Sequence, residues 1–252
     1  MSSTPRYAAV LSDIDGTLAP YGVLPSPPVI AGISAAARRC HVGLISSRDL
    51  HYVAAMAARF DLKGLQVADG GARIFRADTM ETLDCVYLEP EDARTVLDAV
   101  ARSPYSFSAV DDTTVVETVA DIHHWRITRI TVLPVPTADL PRFEELFPSE
   151  RPVHVTRFPY ESGRTWGVDI THKLGTKATA VHRYARMLGI RPAQIIGIGD
   201  GPNDVEFLQE CGLRIAMGNA HSDLKAIAHW IAPDVTEHGI LAALERFRDE
   251  LG

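Results

Sequence analysis

The sequence predicts an α/β fold: a doubly wound, Rossmann-like parallel sheet interrupted by an inserted α+β cap domain. Three observations predict it. Short apolar runs alternate with helix-periodic segments at both ends of the chain. Turn-forming and carboxylate residues close those runs. The middle breaks the rhythm with prolines and extended segments. Strand and helix in alternation argue for a parallel sheet with helices on both faces.

The first element is Tyr7-Ala8-Ala9-Val10-Leu11, an apolar run bounded by turn residues, the pattern of a buried strand. It runs into Asp13-Ile14-Asp15-Gly16-Thr17-Leu18. Asp13 and Asp15 are two residues apart, so in an extended chain they point the same way. Two carboxylates at one strand end repel unless a cation lies near them. A proline-rich loop from Pro20 to Pro28 leads into a helix over Val29 to Cys40, with Ile30, Ile33 and Ala37 on one face. The strand His41 to Ile45 ends in Ser46-Ser47-Arg48. Leu50 to Phe60 reads as a helix. Leu65 to Ala68 reads as a strand closed by the tight turn Asp69-Gly70-Gly71-Ala72.

The same rhythm returns late. Thr176 to Leu188 is helix-periodic, with Gly189 placed as its C-cap and Pro192 as a stop. Gln194 to Gly199 is a strand running into Asp200. Leu213 to Met217 is another, ending in Gly218-Asn219, and His229 to Ala232 is the last before a C-terminal helix. Between the two halves, Glu91 to Arg102 reads as a helix with Pro90 at its start and acidic residues in its first turn. A second helix is expected over Leu140 to Phe147, and strands over Thr113 to Val119, Trp125 to Val132 and Val153 to Arg157. The expected division is a core of residues 1–84 and 168–252 and a cap of residues 85–167.

Bulk properties narrow the function. Hydrophobic residues make up 46% of the 252 residues and charged ones 23%, which suits a globular enzyme with an ample core. The net charge of −7 argues against non-specific nucleic-acid binding. No apolar run reaches the roughly 18 residues of a membrane span, and MSSTPRY carries no apolar signal region. Cys40, Cys85 and Cys211 are scattered without metal-ligand spacing and read as reduced packing residues. The expectation is a cytoplasmic protein, monomer or homodimer, with neither nucleic-acid nor membrane partners.

Four segments carry the chemistry: Asp13 to Leu18, Ser46-Ser47-Arg48, Lys177 at a helix start, and Gly199-Asp200-Gly201-Pro202-Asn203-Asp204. In a doubly wound sheet the strand carboxyl ends converge on one crevice, so these segments are expected to meet. Asp13 and Asp200 can hold Mg²⁺, which takes a few carboxylates plus substrate phosphate. Ser46 and neighbouring N–H groups can hold phosphate oxygens at a helix N-terminus. Lys177 can neutralise developing charge. One carboxylate is left for a nucleophile and one for an acid or base.

In this order, DIDGTL, Ser-Ser-Arg after an apolar strand, a helix-opening Lys and GDGPND resemble the four motifs of the haloacid dehalogenase superfamily of phosphohydrolases. The insert between the second and third motifs resembles the α/β (class IIB) cap of its Cof-type phosphatases. Met217-Gly218-Asn219-Ala220 and His238-Gly239-Ile240 match further Cof-type signatures. The resemblance implies Mg²⁺-dependent hydrolysis of a small phosphorylated metabolite, a sugar phosphate or a phosphoglycolate-like acid, through an aspartyl-phosphate. It implies Asp13 as nucleophile and Asp15 as acid and then base. The metal would be held by Asp13, Asp200 and the backbone carbonyl of Asp15. Ser46, the Ser47 N–H and Lys177 would hold the transferring phosphoryl group. Asn203 and Asp204 would orient Lys177 and the metal's water shell. A phosphomutase on the same fold and a non-catalytic metabolite-binding regulator are the alternatives.

Two positions depart from the pattern. Ser46-Ser47-Arg48 stands where Thr-Gly-Arg is usual, and Gly70-Gly71-Ala72 where relatives often carry Asn-Gly-Ala. Lys173, four residues before Lys177, competes for its role. Arg48 either touches substrate or pairs with a core carboxylate. In the cap, the basic residues His123, His124, Arg126, Arg129, Arg157 and Arg164 could meet a leaving group, with Arg126 and Arg164 the chosen candidates. The competing reading is a solvated strand face.

Overall fold

The structure, a computed structural model, describes residues 6–146, 150–160 and 164–252. The chain opens with β1 (Ala9–Ser12), α1 (Pro27–Ala36), β2 (His41–Leu44), α2 (Leu50–Arg59) and β3 (Leu65–Ala68), followed by β4 (Arg73–Arg76) and β5 (Thr82–Cys85). Then come α3 (Pro90–Ala101), β6 (Ser106–Asp111), β7 (Thr114–Val116), β8 (Ile127–Val135), α4 (Leu140–Glu145), β9 (Val153–Tyr160) and β10 (Thr165–His172). The last stretch holds α5 (Lys177–Leu188), β11 (Ile195–Gly199), α6 (Val205–Gln209), β12 (Leu213–Ala216), α7 (Ser222–Ile227), β13 (Trp230–Ile231) and α8 (Gly239–Arg246).

The core is a parallel sheet of order β13-β12-β11-β1-β2. Every residue of β1 and β11 is buried, as expected for strands covered on both faces. β1 lies between β2 and β11, so the chain winds to one side first and to the other later. Its carboxyl end is therefore the switch point where a crevice opens. Asp13 follows β1 there, and Asp200 follows β11 beside it.

One expected core strand behaves differently. β3 meets the parallel sheet through a single bridge, Ile45 to Val67, and otherwise pairs antiparallel with β4. Asp69, Gly70 and Gly71 all have positive φ, which turns the chain straight back. A parallel continuation needs a crossover of a dozen residues or more, and none is present between β3 and β4. α1 starts two residues earlier than expected because Pro27 and Pro28 occupy its first turn, where their fixed φ and missing N–H are harmless.

The insert has its own apolar core. β7-β6-β8-β10-β9 form an antiparallel sheet, and α3 and α4 bury Val96, Leu97, Val100, Leu140 and Phe143 against one face of it. Period-two alternation sorts each strand. Ile130 and Val132 of β8 and Val168 and Ile170 of β10 join that apolar cluster, while Arg129, Thr131, Leu133 and Asp169 face the core domain's crevice. β10 crosses the expected boundary between residues 167 and 168 and stays in the insert's sheet to His172. We therefore propose His172 as the insert's last residue. The final expected residue of α4, Phe147, lies outside the described residues.

A buried ion pair ties the two parts together. Arg73 Nε donates to Asp69 Oδ2 at 2.8 Å, Thr128 of β8 donates to the same oxygen at 3.1 Å, and Arg73 Nη2 bonds the Asp112 carbonyl beyond β6. Among the described residues no helix is long and apolar enough to cross a membrane.

Candidate active site

Four loops at the carboxyl end of the core sheet build the site. The first turns on Gly16, whose φ is +82°. A Cβ there would fall 2.2 Å from Asp200 Oδ2, so only glycine lets this loop close against Asp200. Thr17 Oγ1 donates to Asp200 Oδ1 at 3.0 Å, and Asn219 Nδ2 donates to the Gly16 carbonyl at 2.8 Å.

Lys177 is the first residue of α5. Thr176 caps that helix, accepting from the Thr179 N–H at 3.2 Å, while the Thr179 hydroxyl accepts from the Thr176 N–H at 3.1 Å. Gly71 packs against this cap, and a Cβ on it would fall 2.1 Å from the Thr176 carbonyl carbon. The cap so placed sends Lys177 inward. Its Nζ lies 2.6 Å from Asp13 Oδ1 and 2.7 Å from Asp204 Oδ1, in a buried position. Lys173 is exposed, whereas Lys177 meets the two carboxylates.

Asp204 is an organiser. Its Oδ2 accepts from the backbone N–H groups of Asp200 and Gly201 at 3.1 and 3.0 Å, which shapes the GDGPND turn. Asn203 Nδ2 reaches Ser47 Oγ at 3.4 Å and links the fourth loop to the second. Ser46 is buried at the end of β2, where its Oγ accepts from the Arg48 N–H at 3.1 Å. Asp49 then caps α2, accepting from the N–H groups of His51 and Tyr52.

The electrostatics favour a cation. Carboxylate oxygens of Asp13, Asp200 and Asp204 lie within 4.8 Å of one another. Three carboxylates face one ammonium. Burial raises the Asp13 carboxyl well above its ordinary range, with Asp204 and Asp200 adding repulsion that Lys177 only partly offsets. Burial and then Asp204 push Asp200 up to about 7. Burial alone would lower Lys177, but Asp13 and Asp204 outweigh it and hold the ammonium above its ordinary value. Burial leads the two carboxyl shifts and the anionic excess adds to them, while at Lys177 the same excess overrides burial. A hard divalent cation with oxygen ligands fits that donor set. Asp204 has both oxygens engaged, whereas Asp13 keeps Oδ2 clear of hydrogen bonds among the described residues. Asp15 stands apart from this trio, its carboxylate bound by Arg48.

A profile of the haloacid dehalogenase-like hydrolases matches residues 126–244. A Haemophilus influenzae protein with a phosphatase name is 26% identical over 95% of this chain and 97% of its own length. A Sulfolobus acidocaldarius phosphoglycolate phosphatase is 31% identical over 32% of this chain and 36% of its own. Among solved structures, a haloacid dehalogenase-like hydrolase from Bacteroides thetaiotaomicron superposes with a TM-score of 0.80 at 19% identity, covering 95% of this chain and 99% of that one. A sugar phosphatase of subclass IIB superposes at 0.79, with 20% identity over 96% and 99%.

The chain belongs to the haloacid dehalogenase-like hydrolases.

In this hydrolase the crevice continues upward between core and cap as a cavity of about 550 Å³. Asp13, Asp15, Ser46, Arg48 and Asp200 line its floor. Its roof carries Ser108, Arg129, Thr131, Leu133, Phe158 and Asp169 of the cap. The expected cap contacts are corrected here. Arg126 lies over the Tyr87 ring at 4.8 Å and near Asp112, in a separate surface depression with Arg73 and Cys85. Arg164 is exposed in the turn before β10, and neither arginine lines the crevice. Alternation explains the difference. Arg129 is an odd-numbered neighbour of Thr131 on the crevice face of β8, while Arg126 precedes the strand. Sequence reasoning also passed over Thr17, Asn219 and Asp169. Thr17 and Asn219 sat within quoted motifs, and a carboxylate inside the strand run Val168-Asp169-Ile170 was itself a signal.

Proposed function

We propose that this phosphatase is a phosphomonoesterase acting on a small phosphorylated metabolite through an aspartyl-phosphate on Asp13. The observation that supports it best is the meeting of Asp13, Lys177 and Asp200, from three distant segments, with Asp15 and Ser46 in the same crevice. Asp13 Oδ2 is the oxygen available to attack phosphorus, since Oδ1 is held by Lys177. As that P–O bond forms, the ester P–O bond breaks and the leaving oxygen takes a proton from the Asp15 carboxyl. Asp15 then removes a proton from water, which attacks the same phosphorus, frees the Asp13 carboxylate and yields inorganic phosphate. Ser46, the Ser47 N–H and Lys177 hold the phosphoryl oxygens, whose charge grows in the transition state. Asp13, Asp200 and the Asp15 carbonyl would hold Mg²⁺, which when bound supplies further positive charge to those oxygens.

The test is phosphate release from a panel of phosphate esters with Mg²⁺ and with excess chelator. Metal-dependent turnover, and acid-stable label retained on the wild type but not on Asp13→Asn after brief exposure to labelled substrate, are the expected results. Equal turnover in excess chelator, or label retained on Asp13→Asn, would overturn the reading.

A further inference from the structure

The cap sheet places one row of polar side chains over the site. In strand register, Ser108 of β6 stands opposite Thr131 of β8, Thr131 opposite Asp169 of β10, and Asp169 opposite Thr156 of β9. Their sequence neighbours Ala109, Ile130, Val132, Val168 and Ile170 are buried in the cap core. A row of three hydroxyls and a carboxylate thus lies on the face of the cap sheet that overlooks the crevice.

Arg129 completes the row. Its Nη1 donates to Asp169 Oδ1 at 3.0 Å and also bonds Thr131 Oγ1, while Thr131 Oγ1 donates to Asp169 Oδ1 at 2.5 Å. All three bonds therefore converge on one side of the pair. Asp169 Oδ2 and Arg129 Nη2 have no hydrogen-bond partner among the described residues. Both side chains are largely shielded from water and both residues line the cavity. The pair thus offers the ligand one strong acceptor and one strong donor, at no net charge.

Charge balance then separates two kinds of leaving group. A hydroxyl both donates and accepts, so vicinal hydroxyls can satisfy carboxylate and guanidinium together. A carboxylate can satisfy only the guanidinium, and it meets Asp169 as a like charge in a poorly solvated space. The cavity of about 550 Å³ is also far larger than a two-carbon acid requires. A Cβ on Gly70 would make ordinary contacts with Thr171 Cγ2 at 3.6 Å and Arg129 Cδ at 3.7 Å. The arginine stem thus runs beside the position that departs from the usual Asn.

We propose that Asp169 and Arg129, extended by Thr131 and Ser108, determine specificity by selecting uncharged, hydroxylated leaving groups over carboxylates. This rests on the phosphatase reading above. The experiment compares kcat/KM for a hexose 6-phosphate, 2-phosphoglycolate and p-nitrophenyl phosphate in wild type and Asp169→Asn, with Mg²⁺. Wild type should favour the hexose phosphate over phosphoglycolate by roughly a hundredfold. Asp169→Asn should shrink that ratio by about tenfold or more, with the hexose phosphate losing through KM. Thr131→Val, which removes a hydroxyl without changing charge, should weaken the hexose phosphate alone, and it serves where Asp169→Asn does not fold. A wild type that prefers phosphoglycolate, or ratios that stay fixed in folded variants, overturns the inference and leaves the phosphatase reading standing. No turnover of any of the three esters overturns both.

Discussion

Arg48 grips Asp15 through two guanidinium nitrogens, with Nε 2.9 Å from Oδ2 and Nη2 3.3 Å from Oδ1. The guanidinium also lies over Tyr52 at 4.9 Å and Tyr21 at 5.1 Å. Burial would lower its pKa, yet the bond to Asp15 raises it instead. Arg48 thus pairs with the carboxylate proposed as acid and base, and it also stands in the cavity floor.

We propose Arg48 as a positioning residue for Asp15. Arg48→Gln should cut kcat on an alkyl phosphate by about tenfold or more, because protonation of a poor leaving group depends on Asp15. It should affect p-nitrophenyl phosphate less, since that leaving group needs little protonation. Steady-state kinetics with both esters check this. Equal losses on the two would assign Arg48 to phosphate binding instead.

Asp13→Asn should lower turnover by at least about a thousandfold while leaving the fold intact. An amide is nearly isosteric with the carboxylate but a poor nucleophile and a poor ligand for a hard cation. Lys177 keeps its bond to Asp204 in this variant. Circular dichroism and a sensitive phosphate assay on the purified variant are the measurements.

Lys177→Met should cost about 3–5 kcal/mol of stability, because it leaves Asp13 and Asp204 buried without their counter-charge. A divalent cation should restore part of that loss by replacing the missing positive charge. Thermal melts with and without Mg²⁺ read both effects. A variant as stable as wild type in chelator would mean that the carboxylates are already neutral.

Metal affinity should depend on pH in a definite direction. The Asp200 carboxyl is pushed up to about 7 by burial and by Asp204. The cation takes the ionised form, so below pH 7 protons compete with it and binding weakens, by up to roughly tenfold per unit. Above that point the dependence flattens. Calorimetric titration of Mg²⁺ at pH 5.5, 6.5 and 7.5 measures the slope, and a flat profile would remove Asp200 from the ligand set.

The core site was legible because its chemistry is local in sequence. Asp13 with Asp15, and Asp200 with Asp204, each lie within one short loop, and the α/β rhythm of the flanking strands fixes where those loops meet. The choice of Lys177 over Lys173 needed the Thr176 cap, visible in sequence only as Gly175-Thr176. The cap was harder to read because its specificity face is assembled across strands. Ser108, Thr131 and Asp169 come from three segments whose register no single segment reveals. β10 went unread because Gly167 and Asp169 lower its strand propensity, although Phe158 fills the space beside Gly167. β3 lies parallel to the core sheet at the Ile45–Val67 bridge, as the alternation predicts, but it spends its main ladder on β4, a partner that an apolar run does not disclose.

The join between core and cap yields the last prediction. Arg73 and Asp69 are almost wholly buried, and Arg73 lies on β4 while its partners Thr82 and Asp112 lie on either side of the first crossing into the cap. Thr128 of the cap sheet shares the Asp69 carboxylate. The pair therefore acts as a rivet, with Asp69 as a common anchor for strands from both parts. Arg73→Met removes the only guanidinium bonded to that carboxylate among the described residues and leaves a buried charge uncompensated, at a cost of about 3–5 kcal/mol. For a chain of this size the melting temperature should fall on the order of 10 °C. The double variant Asp69→Asn, Arg73→Met should recover part of that loss, because the uncompensated charge is gone and the Thr128 bond can remain. Amide exchange adds a readout that global stability does not provide. Protection should fall first in β8 near Thr128 and in the turn at Asp112, ahead of β1 and β11. If Arg73→Met loosens all strands equally, the pair supports the whole fold; a variant that melts like wild type would show that the two parts are joined elsewhere.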